Sequence, residues 1–112
     1  MEFTKEKLAE LLNRPTHLNL PYTDLTAADL RGTNMKGANL FKANLENADL
    51  DGADLSGATL YKANLTGTNL TNTNLTDANL GRATLERARL EGANLKNTKL
   101  KGAIMPDGTV HK

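Results

Sequence analysis

The sequence contains no cysteine and no tryptophan, and its only aromatic residues are two tyrosines and two phenylalanines. The absence of cysteine excludes disulfide bonds and thiolate-bound zinc. With so few rings, a conventional small core built around large aromatic side chains is not expected. No apolar run approaches the ~20 residues that a transmembrane helix needs, and the charged N-terminus lacks the apolar segment of a signal peptide. We therefore expect a cytoplasmic protein without a membrane partner.

Charge of one sign is also missing, because 14 basic residues are balanced by 13 acidic ones and the net charge is +1. The whole molecule is therefore neither a polyanion nor a polycation. Its 112 residues suit one domain. Leucine, alanine, threonine and asparagine together supply more than half of the positions. Such a bias indicates either low complexity or an internal repeat.

The repeat has a period of five residues. Leucine recurs at every fifth position over residues 20–100, is replaced once by Met35, and is followed in register by Met105. The residue two positions before each of these is alanine or threonine throughout 23–103, and the residue between them is mostly asparagine or aspartate. The register holds without insertion for most of the chain, which chance does not produce.

This period predicts the architecture. On an α-helix, five residues turn by about 500°, so the leucines would form no stripe, and on a continuous strand an odd period would alternate them between faces. A short extended segment instead lets leucine and the small residue two positions earlier point to the same side. The two remaining residues must then turn a corner, and the second of them is often a residue that tolerates positive φ: Gly32, Gly37, Gly52, Gly57, Gly67, Gly92, Gly102, Asn47, Asn72 and Asn97. Four such sides close a coil of about 20 residues, and coils stack at ~4.8 Å.

The series Ala-(Asn/Asp)-Leu-X-X over residues 18–105 resembles the pentapeptide-repeat family. The resemblance implies a right-handed quadrilateral β-helix of about four coils. The run Gly102–Thr109 is also similar to endings common in cyanobacterial members. We therefore expect an all-β solenoid rather than a globular core.

The ends of a solenoid need covering. Residues 1–17 are predicted to hold a capping α-helix at 4–13 and a linker, because apolar residues at helical spacing follow an N-cap signal and Pro15 ends the pattern. Residues 18–105 form the β-helix, and 106–112 form a C-terminal turn and tail. The tail either folds over the last coil or pairs with another molecule.

Two polar features are expected to support the fold. Threonine replaces the inward alanine at several repeats, where its hydroxyl is predicted to bond a backbone carbonyl: Thr33, Thr68, Thr73 and Thr98. The asparagines and aspartates are predicted to brace the turns through Asx-type hydrogen bonds. Both groups are read as structural.

No catalytic constellation is recognisable. The two histidines, His17 and His111, fall near opposite ends of the stack, and Ser56, the only serine, falls in a corner. The repeat-derived carboxylates lie on an open surface, and the glycines follow the repeat rather than a phosphate-binding motif. We expect no catalytic, metal or cofactor site, and hence no enzyme.

Residues twenty apart become neighbours, so each side of the coil can be assembled from the sequence. One side, called the basic side below, comprises residues 38–42, 58–62, 78–82 and 98–102 and contains no acidic residue. The candidate partner-binding residues on it are Phe41, Lys42, Tyr61, Lys62, Arg82, Lys99 and Lys101. The opposite side mixes acidic residues with Arg31 and Arg89. The small net charge therefore conceals unlike sides.

The basic side has three interpretations: a solvated surface with an aromatic ladder, a surface for an acidic protein, or a surface for nucleic acid. The leading hypothesis is a non-enzymatic protein-interaction scaffold with a regulatory role, whose partner the sequence does not identify. The alternative is nucleic-acid-linked, either weak binding through the basic side or DNA mimicry towards gyrase. The resemblance implies mimicry only for strongly acidic dimeric rods, and a net charge of +1 departs from that. We expect a monomer, with end-to-end association as the alternative because residues 81–112 are basic and 41–80 acidic.

Overall fold

Every repeat in the described part of the chain has the same local conformation. A computed structural model describes residues 18–112, and the domain predicted at 1–17, with its helix at 4–13, lies outside the described residues. Each repeat consists of three extended residues and a two-residue turn. The middle extended residue forms a β-bridge, so pairing within 18–112 occurs through isolated bridges rather than through multi-residue strands.

The bridges define the coil. From Asn19–Asn39 to Thr84–Ile104, each bridge joins a residue to the residue twenty positions later in parallel register. Because a repeat has five residues, one coil has four sides, and residues 18–105 make slightly more than four coils. The backbone hydrogen bonds follow the same register, as when the Leu45 N–H donates to the Asn64 carbonyl at 2.8 Å. The four-sided coil predicted from the period is confirmed.

The interior is filled by the leucine position of each repeat. The largest side chains that are fully buried all occupy it: Leu30, Met35, Leu40, Leu45, Leu50, Leu55, Leu60, Leu65, Leu70, Leu75, Leu80 and Leu85. The alanines two positions earlier are buried beside them through the middle coils. Burying each leucine contributes roughly 1.5–3 kcal/mol. The inward assignment of leucine and alanine is therefore confirmed.

The inward threonines bond backbone carbonyls, as predicted. Thr68, Thr73 and Thr98 donate their hydroxyls to carbonyls of the preceding coil, namely those of Leu45, Leu50 and Leu75, at 2.6–2.8 Å. Thr33 instead donates to the Leu30 carbonyl within its own turn at 2.7 Å. Within 18–112, no buried polar side-chain atom is left without a partner. The hydroxyls of Thr68, Thr73 and Thr98 therefore tie successive coils together from the inside.

Replacing Thr73 with valine is expected to lower the free energy of unfolding by about 1 kcal/mol, because a buried hydrogen bond is lost from a side chain of nearly unchanged shape. Thr73 is 1% exposed. The matched control is Thr66→Val, since Thr66 lies in a turn and is only partly buried, and it should change stability by less than about 0.5 kcal/mol. Urea titration measures both variants. Equal destabilisation would contradict a specific role for the buried hydroxyl.

The asparagine and aspartate side chains brace the turns that follow them. The Oδ1 atoms of Asn44 and Asn64 each accept the backbone N–H two residues later, both at 3.0 Å, and the same bond recurs along the stack. At Asp54 the carboxylate accepts both the hydroxyl and the backbone N–H of Ser56. These two hydrogen bonds hold the pKa of the Asp54 carboxyl below its usual range. The predicted Asx bracing is confirmed.

The corners are turned by a residue with positive φ. This residue is the second after each leucine, and it has positive φ in every repeat from position 22 to 102. Glycine and asparagine were predicted there and are confirmed, but the same conformation is also adopted by other residues: Tyr22, Ala27, Lys42, Lys62, Asp77, Arg82 and Arg87. The repeat therefore imposes the corner even where the local sequence does not favour it.

The C-terminal tail folds back on the last coil. Ile104 pairs antiparallel with Val110, and the His111 N–H donates to the Ala103 carbonyl at 2.8 Å. The first of the two predicted arrangements, folding onto the coil, is therefore the one observed. Pro106 at the start of the tail also accepts the Arg87 N–H at 3.0 Å, while on another side of the last coil Leu95 remains 37% exposed.

Candidate functional site

The bridges bring the candidate residues together on one side. A continuous row runs through Asn39, Thr59, Asn79 and Lys99, and it places the predicted residues along the same side of the stack: Phe41, Lys42, Tyr61, Lys62, Arg82, Lys99 and Lys101. The row begins one coil earlier, at Asn19, so residues 18–22 also lie on the basic side. The side therefore extends over the full height of the described stack.

Aromatic rings form a stack at one corner of the basic side. Phe41 and Tyr61 are stacked, with ring centroids 6.2 Å apart and planes within 6°. Tyr22 adds a third ring, which meets Phe41 edge-on at 5.5 Å. Tyr22 was missed in the sequence, although the twenty-residue count that assembled the side applies to 18–22 as well. Both arrangements are favourable aromatic geometries.

Two lysines lie close to these rings. The Lys42 Nζ is 5.6 Å from the Phe41 centroid and 5.8 Å from that of Tyr22. The Lys62 Nζ is 5.8 Å from the Tyr61 centroid. These distances are near the outer limit of a cation–π interaction, about 6 Å. The ammonium groups therefore touch the stack but stay available to other groups.

The cations of the basic side have no acidic partner among residues 18–112, whereas ion pairs form elsewhere on the stack. Arg31 Nε lies 2.8 Å from Asp29 Oδ1, and Arg87 contacts Glu86 at 3.7 Å. The hydrogen bonds that Arg31 donates to the Asp29 carboxylate raise the pKa of the Arg31 guanidinium. Like charges stacked on successive coils repel modestly in water. The charges of the basic side therefore add nothing to fold stability through pairing.

The corner that carries these cations is also conformationally costly. Lys42, Lys62 and Arg82 have φ values of 55°, 60° and 54°. A residue with a Cβ atom is disfavoured in this region by roughly 1–2 kcal/mol, while glycine is not. On the two sides that begin at residues 28 and 33, the same corner position holds only glycine, asparagine or aspartate: Gly32, Gly37, Gly52, Gly57, Asn72, Asp77, Gly92 and Asn97. On the third other side it holds Asn47 and Gly67 but also Ala27 and Arg87. The cations thus occupy positions where the fold favours other residues.

No group of three or more histidine, aspartate or glutamate side chains within 18–112 is arranged to hold a metal ion. In the same range, no helix has the length and hydrophobicity required to cross a bilayer. Ser56 is engaged with Asp54, His111 lies in the exposed tail, and His17 is outside the described residues. The basic side is therefore the most distinctive surface of residues 18–112.

Comparison with known proteins agrees with the repeat. A family model described as pentapeptide repeats matches residues 16–47, 38–77 and 69–106, with 8 copies. No curated protein sequence matches the chain. Among solved structures, the chain is similar to the pentapeptide repeat protein Rfr23 from the cyanobacterium Cyanothece 51142. The identity is 37% and the TM-score 0.81, over 89% of this chain and 68% of that one.

A second similar structure is HetL, a pentapeptide repeat protein of Nostoc sp. strain PCC 7120 that is involved in heterocyst differentiation regulation. It is 42% identical with a TM-score of 0.53, over 83% of this chain and 43% of HetL. The chain thus spans less than half of HetL. Proteins with this repeat are generally structural or interaction proteins. On the family match and the likeness to Rfr23, the chain belongs to the pentapeptide-repeat family and folds as a right-handed quadrilateral β-helix.

Proposed function

We propose that the protein is a non-enzymatic scaffold that presents its basic side to an acidic protein partner. The scaffold part of the proposal is supported by the family, and the basic side supplies the chemistry of the partner. A rigid stack holds its surface side chains at fixed spacing, which lowers the conformational cost of binding. Carboxylates from another protein would complement cations that have no acidic partner within 18–112.

The observation that carries this proposal is the corner formed by Lys42, Lys62 and Arg82. All three residues have positive φ, where glycine or asparagine would cost less. They lie one above another on successive coils, so their charges also repel. Neither effect stabilises the fold. A role in binding accounts for both effects, because strained residues in other proteins cluster at functional sites.

An acidic protein is favoured over nucleic acid by the extent of the charge. Five cations on one side neutralise few phosphates, and such binding would weaken steeply with salt. The neighbouring side brings carboxylates close by, at Glu46 and Glu86, which would repel a long polyanion. DNA mimicry is disfavoured by the net charge of +1, because a mimic needs a strongly acidic surface.

A regulatory role is the finer part of the proposal. HetL is involved in regulating heterocyst differentiation and is 42% identical to this chain over the region they share. A short scaffold that binds one protein through one surface suits regulation by association. The absence of a catalytic constellation in the sequence agrees with a protein that acts without chemistry of its own.

The experiment is affinity capture with charge-reversed variants. The wild-type protein and the triple variant Lys42→Glu/Lys62→Glu/Arg82→Glu are immobilised and exposed to the same cell extract. We expect at least one acidic protein to be retained by the wild type and lost from the variant, because reversed charges repel it. Circular dichroism confirms that each immobilised protein is folded.

The control is a second triple variant, Lys36→Glu/Arg89→Glu/Lys96→Glu, which changes the net charge by the same amount on other sides. It should retain the partner. If both variants capture the same proteins as the wild type, the basic side is not the binding surface. A gel shift at low salt tests nucleic-acid binding. A shift that is lost only in the basic-side variant would indicate nucleic acid, rather than an acidic protein, as the partner.

A further inference from the structure

The aromatic stack on the basic side stops at a glycine. The first turn position after each leucine on this side holds Pro21, Phe41, Tyr61, Gly81 and Lys101 in successive coils. A Cβ atom added to Gly81 would lie 2.9 Å from two carbon atoms of the Tyr61 ring, so the ring rests directly on the glycine. Gly81 is not among the residues with positive φ. Glycine is therefore needed at this turn residue to admit the ring rather than to adopt positive φ.

Beyond this ring the surface forms a depression of about 640 Å³. Its lining includes the Tyr61 ring, Gly81, Leu100 and three cations, Arg82, Lys99 and Lys101. No acidic residue of the described part of the chain lines it. A Cβ atom added to Gly102 would lie 3.1 Å from Arg82 Cγ, so the stem of Arg82 runs along that glycine. Two glycines thus shape a slot with an aromatic wall and a cationic rim.

The slot is bordered by two backbone groups that have no backbone partner among residues 18–112. On the lower coils of this side, the leucine N–H donates to the next coil, as from Leu60 to Asn79 at 2.7 Å and from Leu80 to Lys99 at 2.7 Å. The Leu100 N–H and the Thr98 carbonyl occupy the same positions on the last coil, and neither has a backbone partner within 18–112. A free donor and a free acceptor on a sheet edge can pair with the main chain of an added peptide.

We propose that this slot binds an acidic protein segment that carries an aromatic side chain, a proposal that rests on the proposed function. The aromatic side chain of the segment stacks at the Tyr61 end of the aromatic stack, and neighbouring carboxylates of the segment bind Arg82, Lys99 and Lys101. The backbone of the segment pairs with Leu100 and Thr98 at the rim of the slot. Charge complementarity selects an acidic ligand, and the edge selects a peptide over a nucleotide, since only a peptide supplies alternating amide and carbonyl groups.

Two fluorescein-labelled acidic peptides test the proposal by fluorescence anisotropy at low salt. One carries a central phenylalanine between glutamates, and the other carries leucine at the same place. The wild-type protein should bind the phenylalanine peptide about three- to tenfold more tightly, the range expected of one aromatic pair. Tyr61→Leu should bind both peptides equally, whereas Tyr61→Phe should keep the preference because it keeps the ring.

Charge variants test the rim of the slot. Arg82→Gln and Lys101→Gln should weaken both peptides to the same degree, while Lys96→Gln, which removes a charge from another side, should leave both affinities unchanged. The proposal is overturned if the wild type does not distinguish the peptides or binds neither. It is also overturned if Tyr61→Leu keeps the preference, or if a single-stranded oligonucleotide of equal charge binds more tightly than either peptide.

The outcomes separate the slot from the proposed function. Equal binding of both peptides, abolished by charge reversal at Lys42, Lys62 and Arg82, would leave the scaffold proposal standing and remove the slot. If the two peptides bind equally and charge reversal has no effect in the capture experiment, both the slot and the proposed function fail. A preference for the phenylalanine peptide that depends on Tyr61 supports both.

Discussion

Replacing Leu65 with aspartate is expected to leave the protein unfolded at neutral pH. Leu65 is 0% exposed and lies in the middle of the stack. Shortening a buried leucine costs about 2–5 kcal/mol, and burying an unpaired carboxylate costs several kcal/mol more. Domains of this size are stable by only about 5–15 kcal/mol. The coil cannot rearrange around the charge, because equivalent leucines pack directly above and below it.

Leu95→Asp is the matched control for this prediction. Leu95 occupies the same position of the repeat, but it lies in the last coil and is 37% exposed, so its carboxylate would reach water. We expect Leu95→Asp to fold and to melt a few degrees below the wild type. Far-ultraviolet circular dichroism and thermal melting compare the three proteins. A Leu65→Asp variant that melts like the wild type would contradict the inward position of the leucines.

The fold could be predicted from the sequence because its signal is redundant. Each repeat carries the same information three times: a leucine that must be buried, a small residue beside it, and an asparagine or aspartate that braces the turn. Loss of one signal leaves the register intact, as at Met35, which is buried like the leucines. The sequence signals for a helix at 4–13 have no such redundancy, and that helix stays a prediction.

The corner conformation could be predicted only in part. The residue types of Gly52 and Asn47 predict positive φ. Those of Lys62 and Arg87 do not, since an isolated lysine or arginine rarely adopts this conformation. At these residues the conformation is imposed by neighbouring coils, through hydrogen bonds such as that from the Lys62 N–H to the Gly81 carbonyl at 2.9 Å. A rule based on residue type alone does not include a conformational constraint that residues about twenty positions away impose.

For the candidate site, the side could be predicted but its detail could not. The twenty-residue count brought Phe41 next to Tyr61, and the structure places the two rings in a stack. The role of Gly81 depends on which way the Tyr61 ring leans, and side-chain direction is not readable from a repeat. The unpaired edge at Leu100 depends in turn on where the tail folds. Whether the side binds a partner stays a prediction.

Stability and binding are expected to oppose each other at the corner of the basic side. Lysine or arginine at positive φ costs roughly 1–2 kcal/mol, and the cation–π contacts of Lys42 and Lys62 return little of this, because at 5.6–5.8 Å they are close to the limit of that interaction. If a protein keeps a binding surface at the expense of stability, the protein should become more stable when the binding groups are removed. This trade-off distinguishes a functional surface from a merely solvated one.

The triple variant Lys42→Gly/Lys62→Gly/Arg82→Gly should therefore be more stable than the wild type and bind no acidic partner. Relief of the backbone strain exceeds the entropy that glycine adds to the unfolded chain, about 0.5–1 kcal/mol per site, so we expect a total gain of about 1–2 kcal/mol. Urea titration measures the gain. Binding is measured with the immobilised variant and with the labelled acidic peptides.

Lys96→Gly is the control, because Lys96 is a turn residue that is not among those with positive φ. The same change of residue there relieves no strain, so it should lower the free energy of unfolding by up to about 1 kcal/mol and leave partner binding intact. Opposite signs of the stability change at the two places would show that the backbone, rather than the loss of charge, is responsible. If the triple variant is instead less stable than the wild type, Lys42, Lys62 and Arg82 support the fold, and the main argument for a binding surface is lost.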